Sequence, residues 1–220
     1  MSVISELDII NAALILLGEP AIADLDLTNS ETASKIRVRW PIMRDSLLRL
    51  HPWNCTRERA ILVRDSIAPL FGFNYKYPLP ADPYCIRPLA IQYSTDGDFL
   101  PFDNNTFGNS RKSKHTFVIE GRYLLTNIEG TTLNTLGQEG INLLYSCRPS
   151  NNSVAVYDAM LVELLSLKLA AELAFPITGS KSLGVSFAED FKALLGPARA
   201  INAQEIAPGI PIGAVLGVFN

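Results

Sequence analysis

Hydrophobic positions recur at helical spacing near both ends of the chain and at strand spacing between them. Leu7, Ile10, Leu14 and Leu17 fall on one helical stripe, and Ser5 with Asp8 three residues later makes a capping arrangement at its start. Gly18 and Pro20 end this first helix. After a linker over 21–28, Asn29 or Ser30 caps a second helix carrying Ala33, Ile36, Trp40, Met43, Leu47 and Leu50, which Pro52 closes. Pro41 lies inside that pattern, where it removes the bond to the Arg37 carbonyl at about 3 kcal/mol, so a kink or break is expected there.

From Trp53 the period shortens, and β-prone runs separated by Pro, Gly and Asn predict antiparallel strands of a sandwich or barrel at 59–63, 75–79, 86–93, 116–120, 123–126 and 141–147. Glu120-Gly121-Arg122 predicts a tight hairpin between the fourth and fifth, with Gly supplying the unusual φ. The polar stretch 96–114 reads as an exposed loop. Helical period then returns. Asn151 to Ser153 can cap a helix bearing Tyr157, Leu161, Leu164, Leu165, Leu167, Leu169 and Leu173, an apolar arc wide enough for burial on more than one side, which Pro176 ends. A last helix from about Ser182 shows Leu183, Phe187, Phe191, Leu194 and Leu195 on its stripe, with Asp190 and Lys192 turned outward, until Gly196-Pro197 interrupts it.

The expected fold is therefore α+β. The N- and C-terminal helix pairs, 1–53 and 151–203, pack as a four-helix bundle, and 54–150 forms an inserted antiparallel β sandwich or barrel. Residues 204–220 make an extended apolar tail with one charged side chain, Glu205, two prolines and three glycines. Burying each large apolar side chain of that tail contributes about 1.5 to 3 kcal/mol. Ordering each backbone residue costs about 1 to 2 kcal/mol, so the tail is expected to order only against a partner. The docking residues are expected to be Ile206, Ile210, Ile212, Val215, Leu216 and Phe219. The run is too short and too broken by Pro208 and Pro211 for a membrane span.

Composition narrows the function classes. A chain of 220 residues that is 48% hydrophobic is globular, and a formal charge of -3 offers no overall positive field for gathering phosphates. The beginning of the chain has neither a basic cluster nor an unbroken apolar run, so a cytosolic protein without a signal peptide is expected. Cys55, Cys85 and Cys147 lack CxxC spacing and read as reduced thiols, and His51 and His115 have no second ligand at metal spacing. No cofactor or metal is expected. No GxSxG, Walker or GxGxxG pattern occurs, and the chain is not expected to be an enzyme. His51, at a helix end, reads as a group that bonds terminal carbonyls or meets the negative end of the dipole, and the carboxylate pairs Asp24 with Asp26 and Asp96 with Asp98 as turn residues. Arg57, Glu58, Arg59 and Arg64 on the first strand, and Arg111, Lys112 and Lys114 in the polar loop, read as solvated or intersubunit charge. A carbohydrate-binding or degrading module is the alternative function, motivated by the β insertion and its aromatic residues Phe71, Phe73, Tyr75 and Tyr77.

Asn11-Ala12-Ala13-Leu14, Leu17-Gly18-Glu19-Pro20, Leu50-His51-Pro52-Trp53-Asn54 and the run from Tyr77-Pro78-Leu79-Pro80 through Ala81-Asp82-Pro83 to Arg87 together resemble the tail tubular protein A family of short-tailed bacteriophages. The resemblance covers roughly 8–93, with element order agreeing beyond it. Trp40-Pro41 departs from the family pattern, in which the second helix is unbroken. What the resemblance implies is a virion protein assembled in the host cytoplasm. It would be a head-to-tail adaptor forming a ring, a dodecamer in that family, below the portal protein and carrying the tail nozzle protein. DNA would pass through during genome ejection without sequence-specific binding, and no membrane is involved. Gly18, Pro52 and Trp53 would then serve as structural corners, Gly18 as a left-handed helix cap, Pro52 as a forced exit and Trp53 as a buried anchor.

Overall fold

The computed structural model describes residues 5–26, 30–92, 99–101, 117–133, 136–149 and 157–205. Two compact units are present, one drawn from Met1–Thr56 and Arg148–Ile206 and the other from Arg57–Cys147. Among the described residues the first is helical and the second holds nearly all the strands, so the chain is α+β, with four helices and two antiparallel sheets.

In the helical unit, α1 (Glu6–Leu16) begins with a reciprocal cap: Ser5 Oγ accepts from the Asp8 N–H at 3.2 Å and Asp8 Oδ2 accepts from the Ser5 N–H at 2.8 Å. The Ser5 N–H and the Ser5 hydroxyl, each donating to Asp8 Oδ2 at 2.8 Å, hold the Asp8 carboxyl below its ordinary range. Gly18 at φ 75 ends α1 and lets the Glu19 N–H return to the Leu14 carbonyl at 2.9 Å. Helix α2 (Glu31–Leu50) starts at Ser30, whose hydroxyl accepts from the Ala33 N–H. It runs unbroken through Pro41.

Helix α3 (Ala159–Thr178) begins at Asp158, not at 151–153, because Asp158 Oδ1 takes the Leu161 N–H at 2.8 Å; residues 151–153 lie outside those described. Pro176 does not end it. The stop is Gly179, at φ 75, with its N–H on the Phe175 carbonyl. Helix α4 (Lys181–Gln204), capped by Ser180, likewise passes through Gly196-Pro197. All three internal prolines are exposed, so water can reach the carbonyl each leaves without a helical donor, while the buried faces keep their packing.

Helix α3 is buried nearly all round, from Leu161 to Ala174, and α1, α2 and α4 each pack against it. The stripe of α4, Leu183, Phe187, Phe191, Leu194 and Leu195, is half-buried, with Asp190 and Lys192 outward.

In the β unit, β1 (Arg57–Val63), β8 (Glu139–Arg148), β3 (Tyr84–Gln92) and β4 (Phe99–Pro101) lie in that order, with β7 (Thr132–Leu133) also paired to β8. A second sheet has the order β2 (Tyr75–Pro78), β6 (Tyr123–Thr126), β5 (Phe117–Glu120). The six expected strands are found with shifts at their ends. Strand β7 is additional, as is β4, which occupies part of the stretch read as loop: its pairing with 90–92 of β3 supplies what its own composition does not advertise. The β5–β6 turn is Gly121-Arg122, with Gly121 at φ 59. Both sheets feed one core, where Leu62, Tyr77, Ile91, Leu124, Leu143 and Tyr145 meet. At β8 of the first sheet, Gly130 and Gly140 permit a close backbone approach, since a Cβ on Gly130 would lie 2.3 Å from the Gly140 carbonyl carbon.

Candidate functional site

The chain leaves α2 through His51-Pro52-Trp53 into a short 3₁₀ turn, Asn54–Thr56. Trp53 is 0% exposed, its Nε1–H donates to the Leu47 carbonyl at 3.2 Å, and the His51 ring meets it edge-on with centroids 4.8 Å apart. The same turn grips the end of α4. The Asn54 N–H donates to Asn202 Oδ1 at 2.8 Å, and Asn54 Nδ2 donates to the Asn202 carbonyl and, at 3.3 Å, to Glu205 Oε2. With Oδ1 committed to a donor, Asn202 turns its Nδ2 to His51 Nε2 at 2.9 Å, so Nε2 accepts and the ring proton sits on Nδ1. Besides its place at the end of α2, His51 thus has a side-chain partner 151 positions away. The corner fixes the last residues of α4, directly before the apolar segment.

Gly18 belongs to a different end, that of α1, while Pro52 and Trp53 sit together in the corner. The docking residues Ile206, Ile210, Ile212, Val215, Leu216 and Phe219 lie outside the described residues, as do His115, Asp96, Asp98, Arg111, Lys112 and Lys114. Asp24 is a turn residue, accepting from the Asp26 N–H at 2.7 Å. Arg64 faces Glu129 at 3.5 Å and lies over the Tyr75 ring. Tyr77 is buried, its hydroxyl taking the Gly130 N–H and donating to the Ile128 carbonyl, which removes it from any sugar platform.

Sequence reasoning missed Arg122. From the β5–β6 turn its guanidinium donates to the carbonyls of Pro80 and of Cys85, the latter at 2.7 Å, and lies 4.1 Å from the centroid of the Tyr84 ring. It clamps the Pro80–Cys85 loop that contains the cis Asp82-Pro83 bond. No local signal betrays it, because its partners are carbonyls about forty positions away.

Of the aromatic residues singled out in the sequence, Phe71 and Phe73 share a second surface, whose other members the sequence did not point to. Between β1 and β2 the chain raises a crest on which Ile67 is 69%, Leu70 99% and Phe71 86% exposed. With Phe73, Tyr123 and Leu125 it walls a groove of about 320 Å³. Lys76 at its edge is satisfied by Asp65 at 3.2 Å and by the Tyr123 ring, 4.6 Å from its centroid.

No protein-family model matches the chain, and a comparison with curated proteins finds no relative. Among the described residues no cluster of three or more metal-ligating side chains occurs, and no helix is long and apolar enough to cross a membrane.

The three cysteines are free thiols. Burial, with the charge of Asp158 adding, pushes the Cys55 thiol from an ordinary 9.0 up to about 12. Burial, with Glu58 adding, lifts Cys147 to about 11, and burial raises the Tyr145 phenol as well. Folding therefore holds protons that the unfolded chain would release, so this contribution is complete below pH 9 and is lost as pH climbs toward 11 and 12. Urea midpoints should be flat from neutral pH to about 9 and fall above it. A midpoint that rises there would contradict the burial of these groups.

Proposed function

We propose that this chain is a structural head-to-tail adaptor of a short-tailed bacteriophage, forming a ring below the portal protein, carrying the tail nozzle protein and letting DNA pass. In this reading the helices act as a four-helix bundle and the two sheets as an inserted sandwich. The observation that carries it is the corner: the His51-Pro52-Trp53-Asn54 motif, one of the four stretches that carry the resemblance, is a buried anchor that also grips the end of α4 through Asn202 and Glu205. An assembly segment following α4 would thereby start from a rigid origin. The absence of an overall positive charge suits a passage that DNA must traverse without being held.

Removing residues 204–220 is expected to leave a folded chain that no longer associates stably with portal rings. The check is the mass of the complex formed on mixing portal rings with full-length and truncated chains. Equal attachment by the two would discard the tail's role, and no association by the full-length chain would discard the adaptor reading.

A further inference from the structure

The crest groove and the C-terminal segment fit each other chemically. The groove has aromatic walls, Phe71, Phe73 and Tyr123, an apolar floor at Leu125, and two charged groups in its lining, Lys76, already paired with Asp65, and the exposed carboxylate of Glu120. It therefore suits an apolar, extended ligand that brings no acidic side chain of its own. Residues 206–220 contain no Asp, Glu, Lys or Arg and carry Pro208-Gly209-Ile210-Pro211, a P-x-x-P spacing. Proline holds φ near −65° and favours the polyproline conformation, which aromatic grooves bind at low ordering cost. We propose that the groove receives the Pro208–Pro211 region of a second copy of this chain.

The segment starts directly after the α4 cap at Glu205, and its fifteen residues can reach roughly 45 Å when extended. The end of α4, from which it starts, and the groove formed by residues 69–76 and 120–125 are different parts of one copy, so each copy would offer two different surfaces to its neighbours. Such a heterologous contact repeats from copy to copy and closes when the rotation allows. The choice of a second copy over the chain's own segment rests on the ring reading. A membrane surface is disfavoured because Lys76 and Arg64, the cations beside the crest, are matched with Asp65 and with Glu129.

The test uses a fluorescent peptide of residues 205–220 and full-length protein. Saturable binding is expected, at least tenfold weaker to the Leu70→Ser/Phe71→Ser chain and to wild-type chain when the peptide carries Pro208→Ala and Pro211→Ala. Both crest residues are exposed, and circular dichroism should confirm that the variant keeps its fold. Separately, full-length Leu70→Ser/Phe71→Ser chain and full-length Ile210→Asp/Ile212→Asp chain are sedimented alone and mixed. Dimers are expected only in the mixture, since each partner then supplies the half that the other lacks.

Undiminished binding to the crest variant, or no saturable binding at all, would overturn the proposal. Peptide binding with no dimer in the mixture would assign the groove to the chain's own segment. Crest-dependent retention on phosphatidylserine vesicles without peptide binding would assign it to a membrane. No portal is present in these measurements, so their failure leaves the adaptor reading to the portal-ring experiment.

Discussion

Replacing Trp53 with alanine should destabilise the helical unit by about 3 to 5 kcal/mol, the cost of emptying a fully buried aromatic site. The loss is not of volume alone. It leaves the buried Leu47 carbonyl without the indole donor and removes the edge contact that steadies His51 against Asn202. Trp53→Phe keeps most of the packing and should cost less, about 1 kcal/mol of it from the missing hydrogen bond. Urea unfolding followed by helical circular dichroism checks both variants. An alanine variant within 1 kcal/mol of wild type would show that the corner is dispensable.

Arg44→Ala should be comparably severe, at about 3 to 5 kcal/mol, because it breaks a buried ion pair from one side only. Arg44 is buried in α2, and its guanidinium donates to Glu6 of α1 and, at 3.0 Å, to Asp45. Burial works against its charge, yet Glu6 and Asp45 more than offset this and hold its pKa above the ordinary value. Glu6 also accepts from Trp40 Nε1 at 2.9 Å, and Asp45 from Arg148 Nη1 at 2.9 Å, so each of the guanidinium's two carboxylate partners holds a second donor. Without it, Glu6 keeps a largely buried carboxylate with only the indole donor. The double variant Glu6→Gln/Arg44→Met removes both charges and should recover much of the loss. A double variant as unstable as Arg44→Ala would place the damage in packing rather than in the stranded charge.

How far the sequence could be read depended on the range of the interactions involved. Caps at Ser5, Ser30 and Gly18 and the hairpin at Gly121 were legible because each is settled by residues within a few positions. The prolines at 176 and 197 misled, and at 41 no break occurs, because local rules count the lost bond and cannot see the opposite helix face, where packing holds the backbone in place. Strand β4 escaped because its partner, β3, and not its own composition, makes it a strand.

By itself, then, the sequence determined the α+β class, the kind and order of the main elements, and the resemblance on which the adaptor reading rests. Only the tertiary structure decided the polar link from His51 to Asn202, the Arg122 clamp on the Pro80–Cys85 loop, the buried Glu6–Arg44 pair and the exposed crest at Leu70 and Phe71. The physical reason is that periodicity and capping are properties of neighbours along the chain. Burial, hydrogen-bond partnership and a groove depend on which distant segments meet, and a single sequence carries no direct record of that.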